Sequence, residues 1–297
     1  MSSPMHVYAQ TTLQNIDHMR VYIDGTAQQF TFYNTVDSYL WMSPGSHQIE
    51  ILATDKSGNN ASSTFSVTVD SAQPAPVTEI QALPNWEPCT KDFPPGHPRA
   101  GQTCASGLGD ADSTMTENQS SPSLSGKSAL IALTGGSYQY SNELYTKFLG
   151  GGAYPSKFTY DLYFMIDQPD RSQALEFDVN QAFDSQRWVF GTECNFKADG
   201  VWDVWDGVKD AWQATKAPCK PFPANTWIHL VWQFERVGNQ VHYISVTVNG
   251  QTYPLDLYYA NEPYWPMESI DVAFQIDGDY AQQPYNVWLD NVTLTAQ

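Results

Sequence analysis

Short runs in which apolar and polar residues alternate recur from one end of this chain to the other, each closed by glycine, proline, asparagine or aspartate. Successive side chains of a strand point to opposite faces, so such runs describe strands with one buried face, and the punctuation describes turns. Residues 19–23 and 29–33 flank Asp24-Gly25, a dipeptide suited to a hairpin turn whose central positions need positive φ. Pro44-Gly45 precedes a second alternating run at 47–54, and Lys56-Ser57-Gly58-Asn59 turns the chain into a third at 64–69. Longer runs follow at 128–134, 158–166, 174–181, 188–196, 227–236, 241–248, 270–277 and 286–295. A set of that size suits a jelly roll. Nineteen glycines and nineteen prolines weigh against a helical protein. The expected fold class is all-β, a small sandwich followed by a larger jelly-roll β-sandwich.

The length of 297 residues suits two domains at roughly 150 residues each. Residues 1–70 read as the first domain, and 71–76, with two prolines among small and polar residues, as a linker. Residues 77–297 form the second, opening on an irregular, proline-rich entry segment at 77–121. Fourteen basic against thirty-two acidic residues give a net charge of −18, so nucleic acid is a poor partner, and anionic membranes and strongly acidic polymers are disfavoured by the same repulsion. No apolar run is long enough to span a bilayer. Cys89, Cys104, Cys194 and Cys219 lack zinc-site spacing and read as two disulfides between sequence neighbours, 89 with 104 and 194 with 219. An oxidising compartment follows, and the expected location is secreted or cell-surface, with any export signal already removed.

Three stretches resemble known families. The segment SPGSHQIEILATDKSGNNASSTFSVTV, 43–69, resembles the closing strands of bacterial immunoglobulin-like domains, which implies a spacer role for the first domain. The terminal NVWLDNVTLTA, 286–296, resembles the last strand of concanavalin-like domains, a group that spans lectins, laminin-G-like modules and sugar-cleaving enzymes. EFDVNQ, 176–181, is similar to the catalytic strand of glycoside hydrolase family 16 and also to the metal-holding strand of legume lectins. In the hydrolase pattern Glu176 and Asp178 match the nucleophile and its helper, whereas Gln181 stands where the acid/base carboxyl belongs.

The residues themselves point the same way. Glu176, Asp178 and Asn180 share one face of their strand, opposite Leu175, Phe177 and Val179. A hairpin centred on Asp184-Ser185 pairs positions that sum to 369, which sets Glu176 across from Glu193 and Ala174 across from Asn195. Two carboxyls at that separation suit a retaining glycosidase, so Glu176 and Glu193 are the catalytic candidates if the protein is an enzyme. Trp202, Trp205 and Trp212, read as part of a polar loop at 201–219, offer rings that stack on sugars, with Asp178 and His229 as further contacts. The primary expectation is a polysaccharide-recognising, lectin-like protein. The alternatives are a retaining endo-glycoside hydrolase of the same fold and a cell-surface adhesive or assembly module. The concanavalin-like resemblance also implies a structural Ca²⁺ held partly by Asp290, with Asp110 and Asp112 as partners.

Overall fold

The computed structural model describes residues 2–71, 74–88, 111–136, 142–198, 200–220, 222–263, 268–279 and 283–297. The first six strands are β1 (Met5–Gln10), β2 (Ile16–Ile23), β3 (Thr26–Thr31), β4 (Thr35–Leu40), β5 (Gly45–Asp55) and β6 (Asn60–Val69). Then come β7 (Glu87–Pro88), β8 (Ala111–Gln119), β9 (Ser128–Gly136), β10 (Asn142–Gly151), β11 (Lys157–Ile166), β12 (Ser172–Phe183), β13 (Gln186–Phe190) and β14 (Thr192–Asn195). The rest are β15 (Val201–Asp206), β16 (Ala211–Pro218), β17 (Ile228–Val237), β18 (Gln240–Val248), β19 (Gln251–Ala260), β20 (Glu262–Pro263), β21 (Ser269–Gly278) and β22 (Tyr285–Ala296). Among the described residues the helical pieces are two single 3₁₀ turns, Ile80–Ala82 and Pro169–Arg171. The chain is all-β.

The strands form three sheets. An eleven-stranded sheet runs β1-β4-β10-β21-β12-β14-β15-β16, with β7, β13 and β20 paired beside this path, and a seven-stranded sheet runs β19-β18-β17-β11-β22-β9-β8. A four-stranded sheet, β3-β2-β5-β6, completes the set. The two larger sheets enclose the main core, where Phe158, Tyr160, Leu162 and Phe164 of β11 meet Leu175, Phe177 and Val179 of β12. Alternation along β12 turns Glu176, Asp178 and Asn180 to the other side of the sheet.

A second, smaller core gathers Val7, Met19, Val21, Val36, Leu40, Ile49, Ile51 and Val67 from β1, β2, β4, β5 and β6. The turn between β2 and β3 is Asp24-Gly25, both at positive φ, as the dipeptide requires. These strands do not stand apart from the rest, however. β4 pairs in parallel with β10 through Gly150↔Tyr39 and Gly151↔Leu40, so the eleven-stranded sheet runs on into the N-terminal strands. The two pairs join the N-terminal strands to the large sheet.

Two further readings of the sequence change. The entry segment carries a regular strand, β8, whose partner is β9. The stretch read as a tryptophan loop is the hairpin β15–β16, with Trp205 opposite Trp212. Cys194 and Cys219 are joined, Cα–Cα 5.7 Å, which ties β14 to the end of β16. Cys89, Cys104 and Asp110 lie outside the described residues, as does the side chain of Asp112.

Candidate functional site

Strand β12 carries the centre of the site. The hairpin register is the one its loop centre predicts: Ala174 faces Asn195, Leu175 faces Cys194 and Glu176 faces Glu193. The same register runs through β13, where Val179 faces Phe190, and carries on past Gly191 into β14. The row continues on both sides, because Glu193 faces Asp203 of β15 and Glu176 faces Gln275 of β21. Asp203, Glu193, Glu176 and Gln275 thus form one polar row across four neighbouring strands. Two residues along β12, Asp178 lies across from Ala273, and Asn180 beyond it from Asp271.

Hydrogen bonds hold the row in place. Gln275 Nε2 donates to Glu176 Oε1, and Asn195 Nδ2 donates to Glu193 Oε1 at 3.1 Å. The Thr192 amide donates to Asp178 Oδ1 at 3.0 Å, while Asn180 Nδ2 donates to Asp271 Oδ1 at 2.8 Å. Carboxyl oxygens of Glu176, Glu193 and Asp277 lie within 4.8 Å of one another. All of these carboxyls are nearly buried. Burial pushes the Glu193 carboxyl up to about 7, with the Asp203 charge adding to it. Burial likewise raises Asp178 to about 7, against the pull of the Thr192 hydrogen bond and the Arg187 charge. Glu176 rises well above the usual carboxylate range through burial first, then through Asp277, Asp178 and Glu193.

The tryptophans divide. Trp202 is fully buried, edge-on to Phe177 and to Trp232, and its ring belongs to the main core. Its neighbours on β15 alternate away from it, which brings Asp203 and Trp205 to the face that bears Glu193. Trp205 and Trp212 are half-buried and meet edge to face at 5.1 Å, and Trp205 Nε1 donates to Glu262 Oε1 at 3.1 Å. Gly191 makes room for this ring, since a Cβ there would lie 2.9 Å from Trp205 Cβ.

His229 belongs elsewhere. Its neighbours Ile228 and Leu230 enter the core from the seven-stranded sheet, so the imidazole lies on the far side of the molecule from Glu176. There Nε2 pairs with Asp161 Oδ1 at 2.8 Å and the ring stacks on Tyr163 at 4.4 Å. Asp290 is held by protein donors. Its Oδ2 accepts from Ser123 Oγ and the amides of Leu124 and Ser125, and its Oδ1 from the Asn291 amide. Burial alone would raise this carboxyl, but the hydrogen bonds from Ser123, Ser125 and Leu124 hold it below its usual value. Asp290 thus staples β22 to the 123–125 loop with protein donors. Gln181, in the acid/base place of the hydrolase pattern, donates to the Gly152 and Pro155 carbonyls and accepts from Arg236 Nε.

The residues that sequence reasoning missed are Gln275, Asp277, Asp271 and Asp203. The alternation of 270–277 does separate Asp271, Gln275 and Asp277 from Ile270, Val272, Phe274 and Ile276. Nothing in that pattern says which strand lies alongside.

No family model matches the chain, and no curated protein is similar to it. Among solved structures, a carbohydrate-binding module of the β-sandwich superfamily aligns over 98% of this chain and 92% of its own at 11% identity, TM-score 0.35. Lectin II from Ulex europaeus aligns over 76% of this chain and 100% of its own at 10% identity, TM-score 0.37. An alginate lyase, solved with an alginate trisaccharide, aligns over 63% of this chain and 82% of its own at 11% identity, TM-score 0.35. With TM-scores this low, none of these likenesses bears on what the chain does.

Proposed function

We propose that the acidic face of the eleven-stranded sheet binds polysaccharide. The observation that carries this reading is the combination, on one face, of the polar row from Asp203 to Gln275 with the aromatic pair Trp205 and Trp212 at its end. Sugar rings present apolar C–H faces and a rim of hydroxyls, and a site for them needs flat rings beside convergent hydrogen-bonding groups. The Cys194–Cys219 bond supports a secreted or cell-surface setting. Affinity electrophoresis through gels containing a panel of neutral, amino and acidic polysaccharides tests it. Retardation in at least one gel is expected, reduced about tenfold or more in Trp212→Ala with the melting temperature unchanged. Free migration in every gel would sink the reading.

Hydrolysis is the second reading, favoured by one observation: Glu176 and Glu193 are direct cross-strand partners with carboxyl oxygens within 4.8 Å, and a retaining glycosidase needs two carboxyls close together. In such a pair one carboxyl protonates the leaving oxygen and the other attacks the anomeric carbon. Burial first, then the Asp277, Asp178 and Glu193 charges, raises the Glu176 carboxyl well above its usual range, which works against its anionic, nucleophilic form; binding is therefore put first. Release of reducing ends by the native chain, abolished in both Glu176→Gln and Glu193→Gln, would reverse the order.

A further inference from the structure

We propose that the outer face of the four-stranded sheet β3-β2-β5-β6 is a second sugar site, one that takes the carboxylate of a short oligouronate on Arg20. β2 sends Met19, Val21 and Ile23 into the small core. His18, Arg20 and Tyr22 therefore alternate to the outside. Arg20 lies across from Phe30 of β3 on one side and Leu52 of β5 on the other, with Ser62 of β6 beyond Leu52. Its guanidinium sits over the Phe30 ring, 5.2 Å from the centroid, and the His18 imidazole stacks on that ring at 5.0 Å. Contact with an aromatic face fixes a guanidinium while leaving the donors in its own plane unspent.

Arg20 spends none of them within the chain. Its Nε is buried with no hydrogen-bond partner, and no hydrogen bond or ion pair joins the side chain to another of the described residues. In a protein of thirty-two acidic and fourteen basic residues this is unusual. Elsewhere Lys157 pairs with Glu235, Arg187 with Glu262, Lys197 with Asp279 and Lys209 with Asp206. On this side of the molecule Asp17 is engaged by His18 at 2.8 Å, and Glu50, across from Tyr22, makes no ion pair with Arg20. A planar fork without a partner is matched by a carboxylate that accepts two parallel hydrogen bonds.

The rest of the face says what carries the carboxylate. β6 adds Asn60, Ser62, Thr64 and Ser66 to it, all exposed. Serine is depleted at protein–protein interfaces, whereas hydroxyls and an amide beside aromatic rings suit a sugar, with its C–H faces and its rim of hydroxyls. A sugar that also bears a carboxylate is a uronic acid. The net charge of −18 repels a long polyanion, but screening cuts that field off within about 8 Å at physiological salt. A short oligouronate is therefore the form the site takes. The site stands apart from the acidic face of the eleven-stranded sheet and does not depend on glycan binding there.

Titration calorimetry on the full chain in about 0.15 M NaCl tests this with α-1,4-linked trigalacturonate, the neutral galactose trisaccharide of the same linkage and penta-aspartate. Trigalacturonate should bind about tenfold or more tighter than the neutral trisaccharide. Arg20→Gln should erase that preference, and Arg20→Lys, which keeps the charge and loses the fork, should lose most of it. Glu50→Gln, which removes a negative charge from the same face, should bind trigalacturonate as well as the native chain or better; circular dichroism and melting show that each variant is folded. Equal affinity for the acidic and neutral trisaccharides, or a preference that survives Arg20→Gln, overturns the site. Penta-aspartate binding as tightly as trigalacturonate overturns the sugar in favour of a protein carboxylate. No binding of trigalacturonate by the native chain overturns the proposal outright.

Discussion

At the scale of single residues, the energetics of this protein concentrate in carboxyls that have been taken out of water. Glu193 shows how. Its carboxyl titrates at about 7 when folded, against 4.5 for an ordinary glutamate. Between those pH values the native state holds a proton that the unfolded chain has lost, so stability falls as pH rises through that window. The loss attributable to Glu193 is on the order of 3 kcal/mol. Asp178 acts in the same direction, from 3.8 to about 7. Thermal melts should therefore give a higher midpoint at pH 5 than at pH 8, and Glu193→Gln should flatten that slope. A midpoint that climbs from pH 5 to pH 8 would contradict the burial of these acids. Asp290 behaves oppositely: its carboxyl is held low by four protein donors, and its contribution is lost only in stronger acid.

At the scale of elements, the far edge of the large sheet is the part most in need of support. β14 is four residues long, and β15 and β16 follow it outward to an edge that no strand among the described residues pairs with. The Cys194–Cys219 bond closes this meander across a sequence separation of 25. A loop of that size is worth about 3 to 4 kcal/mol in the chain-entropy account. The bond also holds the strand of Glu193 against the hairpin of Trp205 and Trp212. Replacing both cysteines by alanine should lower denaturant stability by a comparable amount. Hydrogen exchange should rise first at 192–218, leaving 228–248 protected. Uniform loss of protection across both sheets would mean that the edge and the core unfold as one unit.

At the scale of the whole molecule, the decisive feature is the joint between the N-terminal strands and the large sheet. Three consecutive glycines make it possible. A Cβ on Gly150 would lie 1.9 Å from the Tyr39 carbonyl oxygen, one on Gly151 would lie 1.5 Å from that of Gln28, and one on Gly152 2.8 Å from that of Trp41. The sheet crosses from β10 to β4 only because the backbones approach this closely. Gly151→Ala should uncouple the two hydrophobic cores: one melting transition is expected for the native chain and two for the variant, with faster proteolysis near residues 70–76. A single transition at the native temperature would show that the joint carries no cooperativity.

What the sequence determines by itself is what is local along the chain. The Asp24-Gly25 turn, the alternation of β12 and β17, the Glu176–Glu193 register and the 194–219 disulfide each depend on residues close in sequence. In a hairpin the loop centre sets every pairing, so the heart of the candidate site is legible from 174–195 alone. What only the tertiary structure decides is long-range pairing. β21 lies beside β12 although Gln275 is 99 residues from Glu176, and this pairing delivers Gln275, Asp277 and Asp271 to the site. The side of the molecule that His229 occupies and the burial of Trp202 are decided in the same way, by which sheet packs against which. Alternation tells a strand that it has two faces. Only the neighbouring strand and the opposing sheet settle which face becomes core and which becomes site.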